Sequence, residues 1–185
     1  MARRGTSTHT ELLFGRRVRK DDVRIEALGA LDELNAFLGL AKCSTRRKQS
    51  KQVIGRCQRD LFVLASEVAA LPRDLDRLKV RMEQARLEAL ETEIRRLTGG
   101  RRSMDADFAI PGARRSGALL DVCRCVARRA ERRVIAIRKR MAVPKSVLTY
   151  LNRLSTLLYL LARSEEERGT RADGGKSDAG HRSTR

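Results

Sequence analysis

Between Phe108 and Arg133 the chain reads FAIPGARRSGALLDVCRCVARRAERR, a Pro-Gly pair followed by a helical stretch in which five arginines crowd around one glutamate. On a 3.6-residue repeat Arg124, Arg128, Glu131 and Arg132 fall along one stripe. Glu131 can then pair with Arg128 at i−3, which leaves Arg124 and Arg132 free to meet an anion. Guanidinium groups so placed suit the binding of phosphate and the stabilisation of charge. No Ser-His-Asp or Cys-His arrangement accompanies them. The plainer reading of the same helix is a solvated charged face. Cys43, Cys57, Cys123 and Cys125 form neither a C-x-x-C pair nor a set with His9 and His181 at zinc spacing, so no protein-held metal is expected. Cys123 and Cys125 lie two residues apart on one helix and point in different directions, which disfavours a disulfide between them. The cysteines are expected to be small buried hydrophobes.

The elements that must position these residues are helical. Leu119, Val122, Val126, Ala130 and Val134 recur at spacings of three and four and predict the core face of a helix over about Ser116 to Met141. Ile25, Leu28, Leu31, Leu34, Leu38 and Ala41 predict a first helix from Val23 to about Lys42. Val53, Cys57, Leu61, Leu64 and Val68 predict a second, from Ser50 to about Leu71, with Pro72 past its end. A third runs from about Asp74 to Thr98 and stops at Gly99-Gly100. A fifth, after Pro144, spans about Lys145 to Glu167. Residues 1–22 show no helical period and read as an extended polar segment ordered by a ligand or a neighbouring subunit. Residues 168–185 lack apolar anchors and read as a disordered tail. Five amphipathic helices at 23–167, with short connections and no strand pattern, predict an all-α single domain: an up-and-down five-helix bundle of the ferritin-like, four-helix-bundle type.

A length of 185 residues suits one domain with a real core. Aromatics make up only 3% of the chain and Trp is absent, so that core must be built from Leu, Val, Ile and Ala. There is no apolar run long enough to span a bilayer and no hydrophobic leader at the start, which predicts a cytoplasmic protein without a membrane partner. A net charge of +18 raises nucleic acid as a rival partner. The excess is dispersed, however, and comes without the aromatic platforms that single-strand binders use for stacking. A concentrated basic groove serves a triphosphate equally well.

Two further segments complete the pattern: RRVRKDDVRIEALGALDELNAFLGLA at Arg16–Ala41 and YLNRLSTLLYLLAR at Tyr150–Arg163. With the arginine block, in this order, they resemble the PduO-type ATP:corrinoid adenosyltransferases. The pattern of that family runs R-x-x-K-D-D, E-A-x-G-x-x-D-E-L-N, F-x-x-P-G-G, C-R-x-x-x-R-R-A-E-R and Y-L-N-R-L-S-D, and the similarity covers roughly residues 5 to 163. The resemblance implies transfer of the 5′-deoxyadenosyl group of ATP, bound with Mg²⁺, to the cobalt of reduced cobalamin or a related corrinoid, with release of triphosphate. It also implies a homotrimer with sites between subunits and an external reductase that supplies electrons for Co(II). For ATP it singles out Gly5, Thr10, Lys20, Arg128, Arg129, Glu131, Arg132 and Asn152. For the corrinoid it singles out Asp32 and Arg124, a charged pair across the subunit interface, and Phe108, which fills the lower face of cobalt and keeps the axial base away. Arg128, Glu131 and Phe108 are the residues it makes catalytic.

Departures are local. The family's N-terminal T-x-T-G-D-x-G-x-T is Arg3-Arg4-Gly5-Thr6-Ser7-Thr8-His9-Thr10 here, with the Asp and the second Gly replaced by Thr6 and Thr8. The backbone loses freedom at the second of those positions. P-G-G has become Pro111-Gly112-Ala113, and the Asp after N-R-L-S is Thr156. Two other readings stand beside this one: a corrinoid or nucleotide sensor on the same fold, which the altered N-terminal segment would suit, and a basic helical nucleic-acid-binding protein, suggested only by the charge.

Overall fold

The computed structural model of the chain describes residues 8–99 and 110–166. A short hairpin, β1 (His9–Leu12) and β2 (Arg16–Arg19), precedes five helices: α1 (Val23–Ser44), α2 (Lys48–Ala69), α3 (Gln84–Thr98), α4 (Arg115–Ile137) and α5 (Lys145–Glu166). The helices match the expected five in number and order. The third starts ten residues later than expected, because Pro72–Arg77 folds as a separate 3-10 segment. The strap after it is fixed by Glu67, buried at the end of α2, which accepts hydrogen bonds from Arg81 Nε at 3.0 Å and Met82 N at 2.7 Å. Gly5, Phe108 and the expected tail at 168–185 lie outside the described residues.

α4 lies between α1 and α5, with α2 on α1 and α3 on α5. Leu31, Leu34 and Leu38 of α1, Ile54, Leu61 and Leu64 of α2, Leu120 and Ile137 of α4, and Leu151, Leu154 and Leu157 of α5 are fully buried together. The aliphatic composition thus forms the core that the scarcity of aromatics demanded. Tyr150 is the one fully buried aromatic among the described residues. Its hydroxyl donates to Asp60 Oδ2 at 2.9 Å, and the other oxygen of Asp60 takes the Arg86 guanidinium, so the polar end of the ring is satisfied within the core.

Two expectations for side chains are corrected. α4 buries a wide face formed by Leu120, Cys123, Val126, Ala127, Ala130, Val134 and Ile137, because it packs against two helices at once. Val122, expected in the core, is 40% exposed and borders an open cleft instead. All four cysteines are free, but only Cys57 and Cys123 are buried, and burial pushes both thiols up to about 12. Cys43 and Cys125 are exposed.

The hairpin is the element the sequence pattern did not predict. Its strands pair antiparallel, with Thr10 opposite Val18 and Glu11 opposite Arg17. The three-residue turn needs two left-handed residues, supplied by Phe14 at φ 61° and Gly15 at φ 74°. Gly15 adopts this without strain; Phe14 is held by the Arg77 guanidinium, 4.1 Å from the ring centre. Arg16 forks onto Asp74 at 3.0 and 3.1 Å, and Arg77 adds a third hydrogen bond at 3.0 Å. Asp74 is buried, so the hairpin is clamped to the bundle through one carboxylate.

Burial alone would raise the Asp74 carboxyl, but the hydrogen bonds from Arg77 and Arg16 outweigh it and hold it below its ordinary value of 3.8. A group depressed in this way contributes stability above its ordinary value and loses it as pH falls through the lowered one. Cleavage of the hairpin by an acid protease at Leu13 and Phe14 should therefore accelerate below pH 3.8, before helical circular dichroism is lost. Asp74→Asn should accelerate tryptic cleavage of the same hairpin at Arg16, Arg17 and Arg19 at neutral pH. Cleavage unchanged in that variant would mean the hairpin is held by something other than Asp74.

Candidate functional site

A cleft of about 660 Å³ opens between α1 and α4. Glu33 and Phe37 line one side, and Val122, Arg124, Cys125, Arg129 and Arg132 the other. The antiparallel course of the two helices is marked by ion pairs of Arg129 with Glu33 and of Arg133 with Glu26, the latter at 3.5 Å. Small residues on α4, Ala127 and Ala130, are fully buried and let its backbone approach its neighbours.

The arginine stripe is divided among three tasks. Arg124 is not free as expected: its Nε lies 3.5 Å from Asp121 Oδ1. Glu131 does not pair with Arg128 but accepts a hydrogen bond from Asn152 Nδ2 at 3.1 Å, since α5 lies within reach on that side. Arg128 and Arg132 are exposed, and neither forms a hydrogen bond or ion pair among the described residues. The structure thus brings Glu131 and Asn152 together from different helices and leaves two cations beside them without partners.

The hairpin gathers a second group. Lys20 N donates to Thr8 O at 2.9 Å, closing the strand pair, so Lys20 and Thr10 become diagonal neighbours across the ladder. The two acids after Lys20 hold the junction. Asp21 takes a forked pair of hydrogen bonds from Arg19, both at 2.8 Å, and Asp22 caps α1 by accepting from Arg24 N at 2.8 Å. Lys20 itself is exposed at the start of that helix. No hydrogen bond or ion pair among the described residues joins Thr10 or Lys20 to α4. Asp32 is also apart from Arg124: it lines a separate cleft of about 400 Å³ between α1 and α2, with Asn35, Gln58 and an exposed Phe62.

Sequence reasoning missed the acids that support α4. Glu165, near the end of α5, accepts from Thr45 Oγ1 at 2.8 Å, Ser50 Oγ at 2.7 Å and Ser116 Oγ at 3.0 Å, joining the α1–α2 corner and the first turn of α4. Glu166 approaches Gly112 N at 3.4 Å and packs over Gly117, where an added Cβ would lie 2.7 Å from Glu166 Cγ. The first turn of α4 has no acidic residue of its own, so these two carboxylates complement its dipole. Gly112 takes φ 124°, which a side chain would resist. The available signal was Glu165, a glutamate at a helical position that faces the core, where a carboxylate must have partners. Among the described residues no three His, Cys, Asp or Glu side chains stand together as a metal site.

With the geometry established, comparison with known proteins is informative. Residues 1–165 match the family model described as cobalamin adenosyltransferase. A corrinoid adenosyltransferase of Citrobacter freundii is 38% identical over 164 residues, which cover 89% of this chain and 93% of that protein. The corrinoid adenosyltransferase PduO of the same organism is 37% identical; the match covers 89% of this chain but only 49% of that longer protein. Among solved structures, a phenylalanine-to-alanine variant of a PduO-type ATP:corrinoid adenosyltransferase from Lactobacillus reuteri, complexed with cobalamin and ATP, superposes with a TM-score of 0.78 at 26% identity. The superposition covers 89% of this chain and 91% of that one.

Proposed function

Because the chain belongs to the cobalamin adenosyltransferase family, we propose that it transfers the 5′-deoxyadenosyl group of ATP to the cobalt of a reduced corrinoid, releasing triphosphate. Co(I) donates its electron pair to C5′, the Co–C bond forms, and the C5′–O bond breaks with its electrons on the departing triphosphate. No side chain has to act as nucleophile. What the protein supplies is orientation of two substrates and stabilisation of the leaving charge.

The observation that carries this reading is the pair of exposed, unpartnered guanidiniums, Arg128 and Arg132, beside the Glu131–Asn152 hydrogen bond. In this role Arg128 and Arg132 take phosphate oxygens of magnesium-bound ATP. Arg129 and Glu33 fix the neighbouring wall, and Glu131 and Asn152 hold the nucleoside end. Thr10 and Lys20, with Gly5 of the same segment, close on the triphosphate from the hairpin. Arg124 and Asp32 serve the corrinoid, together with Phe108, whose ring excludes the axial base from cobalt.

Thr10 and Lys20 make no hydrogen bond or ion pair with α4, and Asp32 and Arg124 open on different clefts. Both facts support sites shared between subunits, and the resemblance to the PduO-type enzymes makes the assembly we propose a homotrimer. An external reductase delivers the electron to Co(II), and the cytoplasm is the compartment that supplies all three partners.

Incubation with ATP, Mg²⁺ and chemically reduced cobalamin should produce the visible spectrum of the alkylated corrinoid; binding of both ligands with no alkylation would favour the sensor reading. Arg128→Ala and Arg132→Ala should each raise the KM for ATP and slow turnover, since a lost charge-assisted contact is worth about 1.5–3 kcal/mol, or roughly 10- to 150-fold. Unchanged kinetics in both would return this stripe to the solvent. Phe108→Ala should leave ATP affinity unchanged while bound Co(II) cobalamin stays five-coordinate, with a turnover defect that shrinks when Co(I) is supplied ready-made. Loss of about 3–5 kcal/mol of stability with four-coordinate Co(II) still formed would mark Phe108 as a core residue only.

A further inference from the structure

Asp121 sits on α4 in the stretch ALLDVC, one turn before Arg124, with only 6% of its surface exposed. A carboxylate at that depth must be matched by positive charge. Two guanidiniums meet it. Arg163 of α5 binds Asp121 Oδ2 through Nη2, and Arg124 Nε approaches Oδ1 at 3.5 Å. Arg163 is itself fixed on its other side: its Nη1 lies 2.7 Å from Glu166 Oε2, and its guanidinium lies 5.4 Å from the centre of the Tyr159 ring. The row Glu166, Arg163, Asp121, Arg124 therefore alternates in charge, starts at the clasp on Gly112 and ends in the cleft.

The two ends of that row differ. Arg163 keeps only 15% of its side chain exposed and belongs to the interior, whereas Arg124 keeps 33% and lines the cleft. Arg124 Nε is buried and makes no hydrogen bond, and the one carboxylate paired with Arg124 among the described residues is Asp121. A cation held by one edge of its fork presents the other edge outward.

We propose that Asp121, locked by Arg163, is the positioning residue that aims Arg124 into the α1–α4 cleft. It does not touch substrate. Its charge keeps the Arg124 side chain lying along α4 with its free edge toward whatever polar or anionic group enters. The consequence for corrinoid rests on the function proposed above; the aiming of Arg124 does not.

The test separates the two. In the full chain without ligand, the ¹H–¹⁵N signal of the Arg124 Nε–H, assigned with Arg124→Lys, should exchange slowly with water. Asp121→Asn should speed that exchange at least about tenfold, since the ion pair that keeps the buried Nε–H away from water is lost, while the Arg129 signal stays put because Glu33 holds it. Asp121→Asn leaves Arg163 short of a partner, so Asp121→Asn with Arg163→Met is the second variant: it removes the stranded charge, restores the melting temperature and still leaves Arg124 released. In turnover, Asp121→Asn should raise the KM for cobalamin about tenfold with that for ATP within about twofold, and should add nothing in the Arg124→Lys background. An Arg124 signal that is unaltered in both Asp121 variants overturns the proposal. So does a fall in apparent kcat that tracks the loss of folded protein while both KM values stay unchanged. Should the wild type transfer no adenosyl group, the catalytic reading falls and the exchange measurement still decides the positioning role.

Discussion

Glu165 lies buried near the end of α5 with three hydroxyls on it, from Thr45, Ser50 and Ser116, and the Arg47 guanidinium 3.9 Å away. A carboxylate there cannot be left without donors, so the α1–α2 corner and the first turn of α4 are fixed relative to α5. The same demand recurs elsewhere. Asp60 gathers Tyr150 and Arg86, Glu67 gathers Arg81 and Met82, and Asp74 gathers Arg16 and Arg77. Leucine packing alone would let helices slide, since one aliphatic contact substitutes for another. The buried acids remove that freedom and set where the arginines of α4 and the hairpin stand.

This gives the large positive charge a physical division. Many arginines are consumed as interhelical or intersegment partners: Arg16 to Asp74, Arg86 to Asp60, Arg153 to Glu91, Arg163 to Asp121. Among the described residues Arg128 and Arg132 are not; both are exposed, and Arg132 lines the cleft between α1 and α4. Paired arginines of this kind hold the structure together, and the cations free to meet an anion are the unpaired ones and the outward edge of Arg124. A net charge of +18 read as a whole pointed toward nucleic acid; the same charge resolved residue by residue points toward a small, highly charged ligand.

The helices were legible because leucine periodicity reports burial directly, and the family was legible because five ordered motifs matched it. What escaped had a different cause. The hairpin depends on Phe14 adopting a left-handed conformation, which no side-chain pattern marks, and on a clamp 58 residues away at Asp74. The orientation of Val122 depends on α4 being gripped from two sides, which rotates its buried face beyond what a single stripe suggests. Asp121, Glu165 and Glu166 look like ordinary helical acids until their partners, 40 to 120 residues distant, are seen. The expected pairing of Glu131 with Arg128 was sound for an isolated helix and yielded to Asn152 from the next one.

The central claim is that one ATP site takes its cations from α4 of one subunit and its hairpin from another. Mixing two defective proteins tests it directly: Lys20→Ala, which spoils only the hairpin, and Arg128→Ala with Arg132→Ala, which spoils only α4. Each alone should be nearly inactive, and reassembly of an equal mixture should restore about a quarter of the wild-type sites, the fraction in which an intact hairpin meets an intact α4 by chance across subunits. A mixture no more active than its parts would contradict a shared site.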